Sequence, residues 1–363
     1  MSSCSVLTID LNKIRENANQ IVRQCRDKGI EVIGVTKGFT AAHQIVTAML
    51  EGGIAGLADA RMENIMELRK RGFQNQITLL RLPRLSNVDN VVRYADVSIN
   101  SELSVISALA AAACRIEAMH KIILMVDVGD LREGVLQEHV IATAAQIKSM
   151  RGVKLVGLGT NMGCYGGVLP SRENLGVLIT LRDSLEQYLD YKLEVISGGG
   201  TSSLFLVEKD EVPEGINQLR IGEGILLGTD TTNNRVIPGL HQDAFRLRGE
   251  VIEVKDKPSL PMGEIGKDAF GNTPQFIDQG MRKRAILAFG RQDVYIEGIR
   301  PVEEKYAILG ASSDHTIVDI TDGENEVKVG DEIEFSLTYP GLLSASDSRY
   351  IEKEFKGERR NED

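Results

Sequence analysis

Residues 31–38 of the 363-residue chain read EVIGVTKG, a β-branched apolar run that ends in a lysine and a glycine. A short run of this kind, bounded by turn residues, is typical of a buried parallel strand. Similar runs recur as far as residue 222, and helix-like segments such as 62–71 and 102–119 occupy most of the gaps. The eight predicted strands are 31–36, 54–58, 77–80, 97–100, 122–127, 153–160, 193–197 and 218–222.

Strands that alternate with helices predict βαβ units and a parallel sheet. Eight such units favour a closed barrel. The alternative is an open doubly wound sheet, but no GxGxxG sequence opens a helix after the first strand. The sequence therefore predicts an α/β fold, with a TIM-type (β/α)8 barrel over residues 8–235.

The pattern changes beyond about residue 236 to stretches in which apolar and polar residues alternate. This pattern is typical of half-buried strands, and turn sequences such as Asp322-Gly323 separate some of them. We expect a C-terminal all-β domain over residues 236–363, with the N-terminal residues 1–10 as candidates to pack with it. The predicted strands are 244–255, 283–289, 316–320 and 332–337, with a long loop over 258–279.

The composition limits the kinds of molecule that the protein is expected to bind. The chain carries 42 basic and 52 acidic residues, a net charge of -10, which argues against nucleic acid or a membrane surface as the partner. Four scattered cysteines (Cys4, Cys25, Cys114 and Cys164) form no CxxC pair and have no histidine at metal-ligand spacing. They read as reduced thiols, and no metal site is predicted. With no signal-peptide pattern and no membrane-length apolar stretch, we expect a cytoplasmic protein.

Lys37 is the first candidate for chemistry, because it follows the first predicted strand directly. The active site of a parallel barrel lies at the carboxyl ends of its strands. Desolvation in the barrel mouth would favour the neutral, nucleophilic amine that covalent catalysis requires. On position alone, a solvated lysine at a strand end is the commoner explanation.

Two glycine-rich loops favour the catalytic explanation for Lys37 over the solvated one. The seventh predicted strand runs into SGGGTSS at residues 197–203, and the eighth runs into RIGEG at residues 220–224. Glycines let backbone N–H groups approach a phosphate closely, and hydroxyl groups add donors. Barrels often bind phosphate in the loops after strands seven and eight. Together with Lys37, the loops indicate a phosphorylated cofactor that is joined to an amine.

These motifs resemble a known family. Val-Thr-Lys at 35–37, Arg-Ile-Gly-Glu-Gly-Ile at 220–225 and a terminal β domain are similar to the fold-type III pyridoxal-phosphate enzymes, the alanine racemase group. DVGDLREG at 127–134 matches the family's DTGxxRxG, and GASSDHTIVD at 310–319 matches its GxxxDxxxVD. The resemblance covers nearly the whole chain. GRQDV at 290–294, and the long loop before it, resemble the ornithine racemase branch.

The resemblance implies roles in binding pyridoxal 5'-phosphate. Lys37 would hold the cofactor covalently and act as acid and base on one face of the substrate's α-carbon. Arg220 would face the pyridine nitrogen and keep it unprotonated, because a guanidinium does not give up its proton at working pH. The other implied cofactor contacts are Asn161, Thr201, Ser202, Gly222, Glu223 and Tyr339.

The resemblance also implies a substrate site and a dimer. Arg132 matches an arginine near the substrate carboxylate, and Ser313 and Asp314 are further implied substrate contacts. Members of the family are dimers in which the β domain of one subunit completes the active site of the other. We therefore expect a homodimer with shared active sites.

This sequence departs from the family at two positions. Arg291 stands where the family has a tyrosine that serves the second face of the α-carbon, and an arginine, with a pKa above about 12, is a poor proton shuttle. Arg291 stays a candidate by alignment, and His315, Tyr295 and Cys164 are candidates by chemistry. Met125 stands where the family carries a lysine that can be carbamylated beside the arginine. Asp127 or Asp130 is then expected to hold Arg132.

The predicted function is racemisation of an amino acid by two-base exchange of the α-proton, with ornithine or lysine as the favoured substrate. Glu264, Asp268 and Asp278 of the long loop suit a cationic side chain, although a solvated loop explains them more simply. One alternative is an alanine or broad-specificity racemase. Others are a fold-type III decarboxylase or aldolase, and a non-catalytic protein that binds the cofactor for homeostasis.

Overall fold

The computed structural model describes residues 5–357, and these residues form two compact units. Asn12–Gln242 make up one unit, and the described residues of Met1–Leu11 and Asp243–Asp363 make up the other. The predicted boundaries at 8 and 235 lie a few residues from these. Cys4 lies outside the described residues.

The chain alternates strands and helices up to residue 227 and is mainly strands beyond it. The helices are α1 Leu11–Arg26, α2 His43–Glu51, α3 Met62–Lys70, α4 Val88–Tyr94, α5 Leu103–Arg115, α6 Val140–Lys148, α7 Arg172–Leu189, α8 Leu204–Glu208, α9 Glu223–Leu227 and α10 Tyr339–Asp347. The strands are β1 Ser5–Asp10, β2 Glu31–Val35, β3 Gly56–Asp59, β4 Ile77–Leu79, β5 Val97–Asn100, β6 His120–Asp127, β7 Val135–Leu136, β8 Val153–Gly159, β9 Val195–Ser197, β10 Gln218–Ile221, β11 Thr229–Asp230, β12 Arg235–Val236, β13 Phe245–Pro258, β14 Met281–Leu287, β15 Ile299–Pro301, β16 Ala307–Ala311, β17 Thr316–Asp319, β18 Glu332–Leu337 and β19 Glu352–Lys356.

The first unit is a closed parallel barrel. Strands β2, β3, β4, β5, β6, β8, β9 and β10 pair in parallel in that order, and β10 pairs with β2 to close the ring. All eight predicted barrel strands are confirmed, each with its ends within two residues of the prediction. The barrel prediction is confirmed, and the open-sheet alternative is wrong because its two edges are paired to each other.

Alternating residues explain why these strands close around a core. Val97 and Ile99 of β5 pack with Ile123 and Met125 of β6 and with Val156 of β8. Because successive side chains of a strand point to opposite faces, the intervening residues of β5 point the other way. The barrel helices contribute a second apolar layer: α5, for example, buries five of its aliphatic residues.

The second unit is built on β13, a strand of 14 residues. Its first half pairs with β1 and β18, and its second half pairs with β14, so one strand belongs to two groups of strands. A register irregularity between Val251 and Glu253 marks the change. The four strands predicted here are confirmed, and residues 259–280 form the predicted long loop.

Several elements were not predicted, among them helix α10 and strands β1, β15, β16 and β19. Helix α10 buries Gly341, Leu342 and Ala345, and a proline occupies its first turn. Nine residues with such small buried side chains give little helical periodicity in the sequence. Tyr339, an implied cofactor contact, is the first residue of this helix.

Three of the sequence-based expectations concern membranes, metals and thiols. Within residues 5–357, no helix is both long and apolar enough to cross a bilayer. The same residues contain no group of three or more histidine, cysteine or acidic side chains that could hold a metal ion. Cys25 is a buried free thiol, and Cys114 and Cys164 are exposed free thiols.

Candidate active site

Lys37 lies at the carboxyl end of β2, between the ends of β3 and β10. It begins a short 3-10 turn, Lys37–Phe39, in which Gly38 and Phe39 are buried while Lys37 is exposed. Among the described residues, its amine has no hydrogen-bond or ion-pair partner. The turn therefore presents a primary amine at the mouth of the barrel.

Arg220 on β10 is buried, with 4% of its surface exposed. Its Nη2 donates to the Thr160 carbonyl at 2.6 Å and to Asn161 Oδ1 at 2.7 Å, and its Nη1 donates to Ser197 Oγ. Burial lowers the pKa of Arg220 to about 10, so the guanidinium is still a cation at neutral pH. Its Nε–H has no acceptor among the described residues. Arg220 is thus a fixed cation with one donor left over.

A chain of polar contacts leads from Arg220 to Arg132. Asn161, which accepts from Arg220, donates its Nδ2 to Glu133 Oε1 at 2.6 Å. Arg132 binds the same carboxylate through both Nη2, at 2.6 Å, and Nε. Glu133 therefore joins the predicted cofactor arginine to the predicted substrate arginine, and sequence reasoning did not single it out.

The expectation that Asp127 or Asp130 holds Arg132 is wrong, because both carboxylates serve backbone amides. Asp127 Oδ1 accepts from the amides of Gly129 and Leu131. Asp130, with 2% of its surface exposed, accepts from four amides of the loop after β8 (Gly163, Tyr165, Gly166 and Val168). Asp130 adds only a longer-range charge interaction to Arg132, while Glu133 makes the hydrogen bonds.

The two glycine-rich loops form a cradle of backbone donors. They follow β9 and β10, which are adjacent in the barrel. The N–H groups of Thr201, Ser202, Gly222 and Glu223 have no acceptor among the described residues. A Cβ atom on Gly222 would lie 3.2 Å from Val35 Cβ, so a side chain there would require Val35 to shift by a few tenths of an ångström. Unpaired N–H groups on closely packed backbone suit an anion such as a phosphate, so the site fits the phosphorylated cofactor.

The side chain of Glu223 serves a different purpose from the one its motif suggests. Its Oε1 accepts from the hydroxyl of Thr229 at 2.7 Å and from the amide of Thr231 at 3.1 Å. Burial raises the pKa of this carboxyl group above its ordinary value, and the Thr231 and Thr229 contacts oppose that rise. Only the backbone N–H of Glu223 is left for a phosphate.

A hairpin of β11 and β12, residues 229–236, braces the loops of the site. Glu223 ties it to the loop after β10, and Asn233 Nδ2 donates to the Ser202 carbonyl at 3.0 Å in the loop after β9. Thr232 packs so closely on Gly163, after β8, that a Cβ atom there would lie 2.3 Å from Thr232 Cγ2. The hairpin therefore contacts three consecutive loops of the barrel mouth.

In the second unit, the structure brings Arg291 together with the turn at 312–315. The Arg291 amide donates to the Ser312 carbonyl at 2.9 Å. Its guanidinium pairs with Glu297 at 2.7 Å and lies over the Phe270 ring, 5.1 Å from the centroid. An arginine held by a carboxylate and an aromatic ring is suited to positioning and is unsuited to moving protons.

The other predicted residues of this turn remain accessible. His315 is exposed, and its imidazole makes no hydrogen bond with a described residue. Ser313 Oγ donates to Asp314 Oδ2 at 2.7 Å, and Gln292 Nε2 donates to Asp314 Oδ1 at 3.1 Å. Arg291, Ser313, Asp314 and His315 therefore share one corner of the second unit.

The acids of the long loop mainly stabilise the loop itself. Asp268 accepts from the amides of Phe270 and Asn272, and Asp278 accepts from the Ser259 hydroxyl and the Gly280 amide. Glu264 is exposed. The simpler reading, a solvated loop, fits Asp268 and Asp278.

The two remaining proton-transfer candidates lie in different units. Cys164, in the loop after β8, is exposed, and its thiol lies 3.8 Å from the Met162 carbonyl. Tyr295 is exposed in the second unit, and its backbone amide donates to Ser344 Oγ at 2.8 Å. Neither side chain is held by several hydrogen bonds, as the side chain of Arg220 is.

Comparison with known proteins places these features in context. The family model described as alanine racemase, N-terminal domain, matches residues 9–230. An ornithine racemase of Acetoanaerobium sticklandii is 44% identical over 349 residues, which is 96% of this chain and 98% of that protein. A lysine racemase of Thermotoga maritima is 43% identical over 350 residues, with the same coverage of 96% and 98%.

Solved structures support the fold. The alanine racemase of Clostridium difficile 630 superposes with a TM-score of 0.75 at 18% identity, covering 97% of this chain and 95% of that one. The alanine racemase of Bartonella henselae, solved with covalently bound pyridoxal phosphate, gives 0.73 at 16% identity, covering 98% and 100%. Identity this low bears on the fold alone.

Proposed function

The chain belongs to the alanine racemase family, and on that premise we propose that it is a pyridoxal-phosphate-dependent racemase of ornithine or lysine. One observation carries the proposal. The free amine of Lys37 and the cradle of unpaired N–H groups lie at the ends of neighbouring strands. An amine beside an anion site is what a phosphorylated aldehyde cofactor requires.

The residues present can hold this cofactor. Lys37 would bind its aldehyde carbon, and the cradle, with the Thr201 hydroxyl, would bind its phosphate. Arg220 has an unused Nε–H donor for the ring nitrogen, and Asn161 would lie against the ring. Pyridoxal phosphate supplies an electron-withdrawing ring that makes the α-proton of a bound amino acid acidic.

Two acid–base groups then account for inversion. Lys37 removes or returns the proton on one face of the α-carbon, and His315 does so on the other. Histidine is suited to this role because its side chain changes charge near neutral pH. Arg291, held by Glu297 and Phe270, would position substrate with Ser313 and Asp314. Arg132 would bind the substrate carboxylate.

The substrate assignment rests on the two relatives, which act on ornithine and lysine and match over nearly the whole chain. Alanine is the alternative, because more distant relatives are alanine racemases, one of them 25% identical over 361 residues. The rival reactions have less support. Decarboxylases of this type use a cysteine of the β domain, and no cysteine follows Cys164.

We further propose that the enzyme is a homodimer whose active sites combine both subunits. Several apolar side chains of the 259–280 loop are exposed, among them Met262 at 92% and Ile277 at 79%. Exposed apolar groups clustered on one loop favour burial against a partner. A cytoplasmic location is also proposed, because free thiols such as Cys164 are typical of a reducing compartment.

Borohydride reduction in the presence of the cofactor tests the anchor. Peptide mapping is expected to find the reduced cofactor on Lys37. A label on any other lysine removes the assignment of Lys37, and the absence of any label removes the cofactor.

Chiral chromatography tests the reaction. The enzyme is incubated separately with L-ornithine, L-lysine, L-alanine and L-serine, and the D-enantiomer is measured. We expect the fastest conversion with ornithine or lysine. No D-product from any substrate would exclude a racemase, and a preference for alanine would overturn the substrate assignment.

A further inference from the structure

Glu133 follows Arg132 in the loop after β6, and its side chain is 15% exposed. Its carboxylate accepts three hydrogen bonds from two other side chains. Arg132 donates Nε to Oε2 and Nη2, at 2.6 Å, to Oε1, and Asn161 donates Nδ2 to Oε1 at 2.6 Å. The proposed function gives roles to both of these partners and none to Glu133.

The paired contact orients the guanidinium of Arg132. Nε and Nη2 lie on one edge of the planar group, and both donate to the same carboxylate in the two-point geometry that arginine and a carboxylate favour. Within residues 5–357, Glu133 is the one carboxylate at ion-pair distance from Arg132, and the Nη1 group donates to no acceptor. Without Glu133, a guanidinium that is 38% exposed would be free to turn about its side-chain bonds.

The backbone on both sides of this pair is held by the end of β6. Before the pair, Asp127 Oδ1 accepts from two amides of the loop. After it, Gly134 has a φ of +139° and passes so close to β6 that a Cβ atom would lie 2.5 Å from the Asp127 amide nitrogen. Strand β7 then pairs in parallel with β6. Backbone contacts therefore set where the pair lies, and Glu133 sets how the Arg132 side chain is turned.

Glu133 also fixes which way the Asn161 amide faces. Asn161 Oδ1 accepts from Arg220 Nη2 at 2.7 Å, and its Nδ2 donates to Glu133. Turning the amide over would set its Nδ2 against the Arg220 donor and its Oδ1 against the carboxylate, so both contacts would become repulsive. One carboxylate thus orients a side chain assigned to the cofactor and a side chain assigned to the substrate.

We propose that Glu133 is a positioning residue that holds Arg132 with its Nη1 side free for the carboxylate of a bound amino acid. Glu133 itself contacts neither substrate nor cofactor in this role and acts through Arg132 and Asn161. The inference rests on the proposed function, because that function supplies the amino-acid carboxylate. The contact with Arg132 belongs to the protein without any ligand.

A direct contact between Glu133 and the cationic end of ornithine or lysine is the rival role for this acid. Both of its oxygens already accept from Arg132, and one of them also accepts from Asn161. A substrate ammonium would have to displace an arginine that makes two charge-assisted hydrogen bonds to the same carboxylate. The contacts therefore favour positioning over direct recognition.

The first test uses the cofactor-free protein and follows hydrogen exchange of the arginine Nε–H groups by NMR. The Arg132 signal is identified by its loss in Arg132→Lys. We expect it to exchange about ten-fold more slowly than that of Arg81, an exposed arginine of the same unit whose side chain has no partner among the described residues. Glu133→Gln, which offers one acceptor oxygen in place of two, should remove most of this difference.

Two results of the exchange measurement overturn the proposal. One is an equal rate for Arg132 and Arg81 in the unaltered protein, a comparison that does not depend on whether a variant folds. The other is unchanged slow exchange of Arg132 in Glu133→Gln.

The second test measures equilibrium binding to the protein loaded with cofactor, followed by the change in cofactor absorbance. The ligands are racemic ornithine, whose composition turnover does not alter, and putrescine, which has the same two amines without the carboxylate. In Glu133→Gln we expect the Kd for ornithine to rise about ten-fold and the Kd for putrescine to stay within about two-fold. Glu138→Gln, which removes an exposed acid from the same unit, is the matched control and should leave both values unchanged.

The comparison of the two ligands decides between the roles. An unchanged Kd for ornithine in Glu133→Gln overturns the proposal. An equal rise for both ligands also overturns it, because that result would place the effect at the amines, as direct recognition of the cationic end requires. Failure of the proposed function is detected separately by borohydride labelling and chiral analysis, since the exchange of Arg132 needs neither cofactor nor substrate.

Discussion

The mouth of the barrel and the corner around Arg291 differ in how their side chains are held. In the barrel, Arg220 is buried and makes three hydrogen bonds to residues at or just after the ends of β8 and β9, and a contiguous polar chain reaches Arg132 through Glu133. In the corner, Arg291 pairs with Glu297, and His315 is exposed with a free imidazole. The barrel arginine is therefore held by several buried hydrogen bonds, whereas the side chains of the corner are more exposed and have fewer contacts.

This difference indicates a division of labour. Groups that hold a cofactor permanently benefit from fixed geometry, because the entropy of their side chains is already lost when the protein folds and is not lost again on binding. A group that meets each new substrate must stay accessible. Substitutions in the barrel should consequently affect how the cofactor is bound and oriented, and substitutions in the corner should leave cofactor binding intact and affect turnover alone.

The largest effect is expected from Lys37→Ala. Loss of both the covalent anchor and one acid–base group should reduce racemisation by about 10³-fold or more. The measurement is the rate of D-ornithine formation at saturating cofactor. Lys70→Ala, which removes an exposed lysine at the end of α3, is the control and should retain full activity. Equal activity in the two variants would remove Lys37 from the reaction.

The corner is tested by His315→Asn, which should slow racemisation by about 10²-fold. Because Lys37 still serves one face, exchange of the α-proton with deuterated solvent should persist for one enantiomer and be lost for the other. Mass spectrometry of each enantiomer in D₂O distinguishes the two faces. If both enantiomers still exchange at the original rates, His315 is not in the proton path.

Arg291→Lys separates positioning from proton transfer in the same corner. Lysine keeps the charge but loses the planar contact with Phe270, so KM should rise while exchange on both faces continues. Loss of exchange on one face in this variant would instead make Arg291 the second acid–base group.

A smaller effect is expected from Arg220→Lys in the barrel. The lysine keeps one positive charge but cannot make the three contacts to Ser197, Thr160 and Asn161. Losing charge-assisted hydrogen bonds should cost about 2 kcal/mol, or about 30-fold in kcat/KM. Steady-state kinetics at saturating cofactor measure this loss, and an unchanged kcat/KM would show that the fixed geometry is dispensable.

The smallest effect concerns the hairpin at 229–236. Asn233→Ala removes its hydrogen bond to the Ser202 carbonyl and should weaken cofactor binding by about five-fold, which corresponds to about 1 kcal/mol. Fluorescence titration of the cofactor-free protein measures the Kd. Asn75→Ala, at an exposed position of the same unit, is the control. Similar Kd values in both variants would mean that the hairpin does not support the cradle.

The fold was largely predictable because it depends on local patterns. Apolar runs such as 97–100, flanked by helical segments, identify barrel strands without reference to any distant residue. Lys37 and the two glycine-rich loops were likewise located by their place at strand ends. The short helix α10 was missed, because its buried face consists mostly of small residues.

The side-chain partnerships were not predictable from the sequence. Glu133 lies inside a recognised motif, yet its contact with Asn161 joins residues 28 positions apart. Asn233 carries no sequence signal of its own, since an amide near a strand end is common. The prediction that Asp127 or Asp130 holds Arg132 was wrong because both carboxylates accept hydrogen bonds from backbone amides, and the sequence alone does not show those contacts.

Strand β1 gives the chain an unusual order of assembly. Val6 pairs with Arg248 of β13 on one side and with Glu352 of β19 on the other, so β1 stays unpaired until segments far along the chain have been synthesised. At translation speeds of about 5–20 residues per second, it waits on the order of tens of seconds with both edges unpaired. A fragment that starts at residue 243 would lack this strand, and β13 and β19 would each expose an edge to neighbouring molecules.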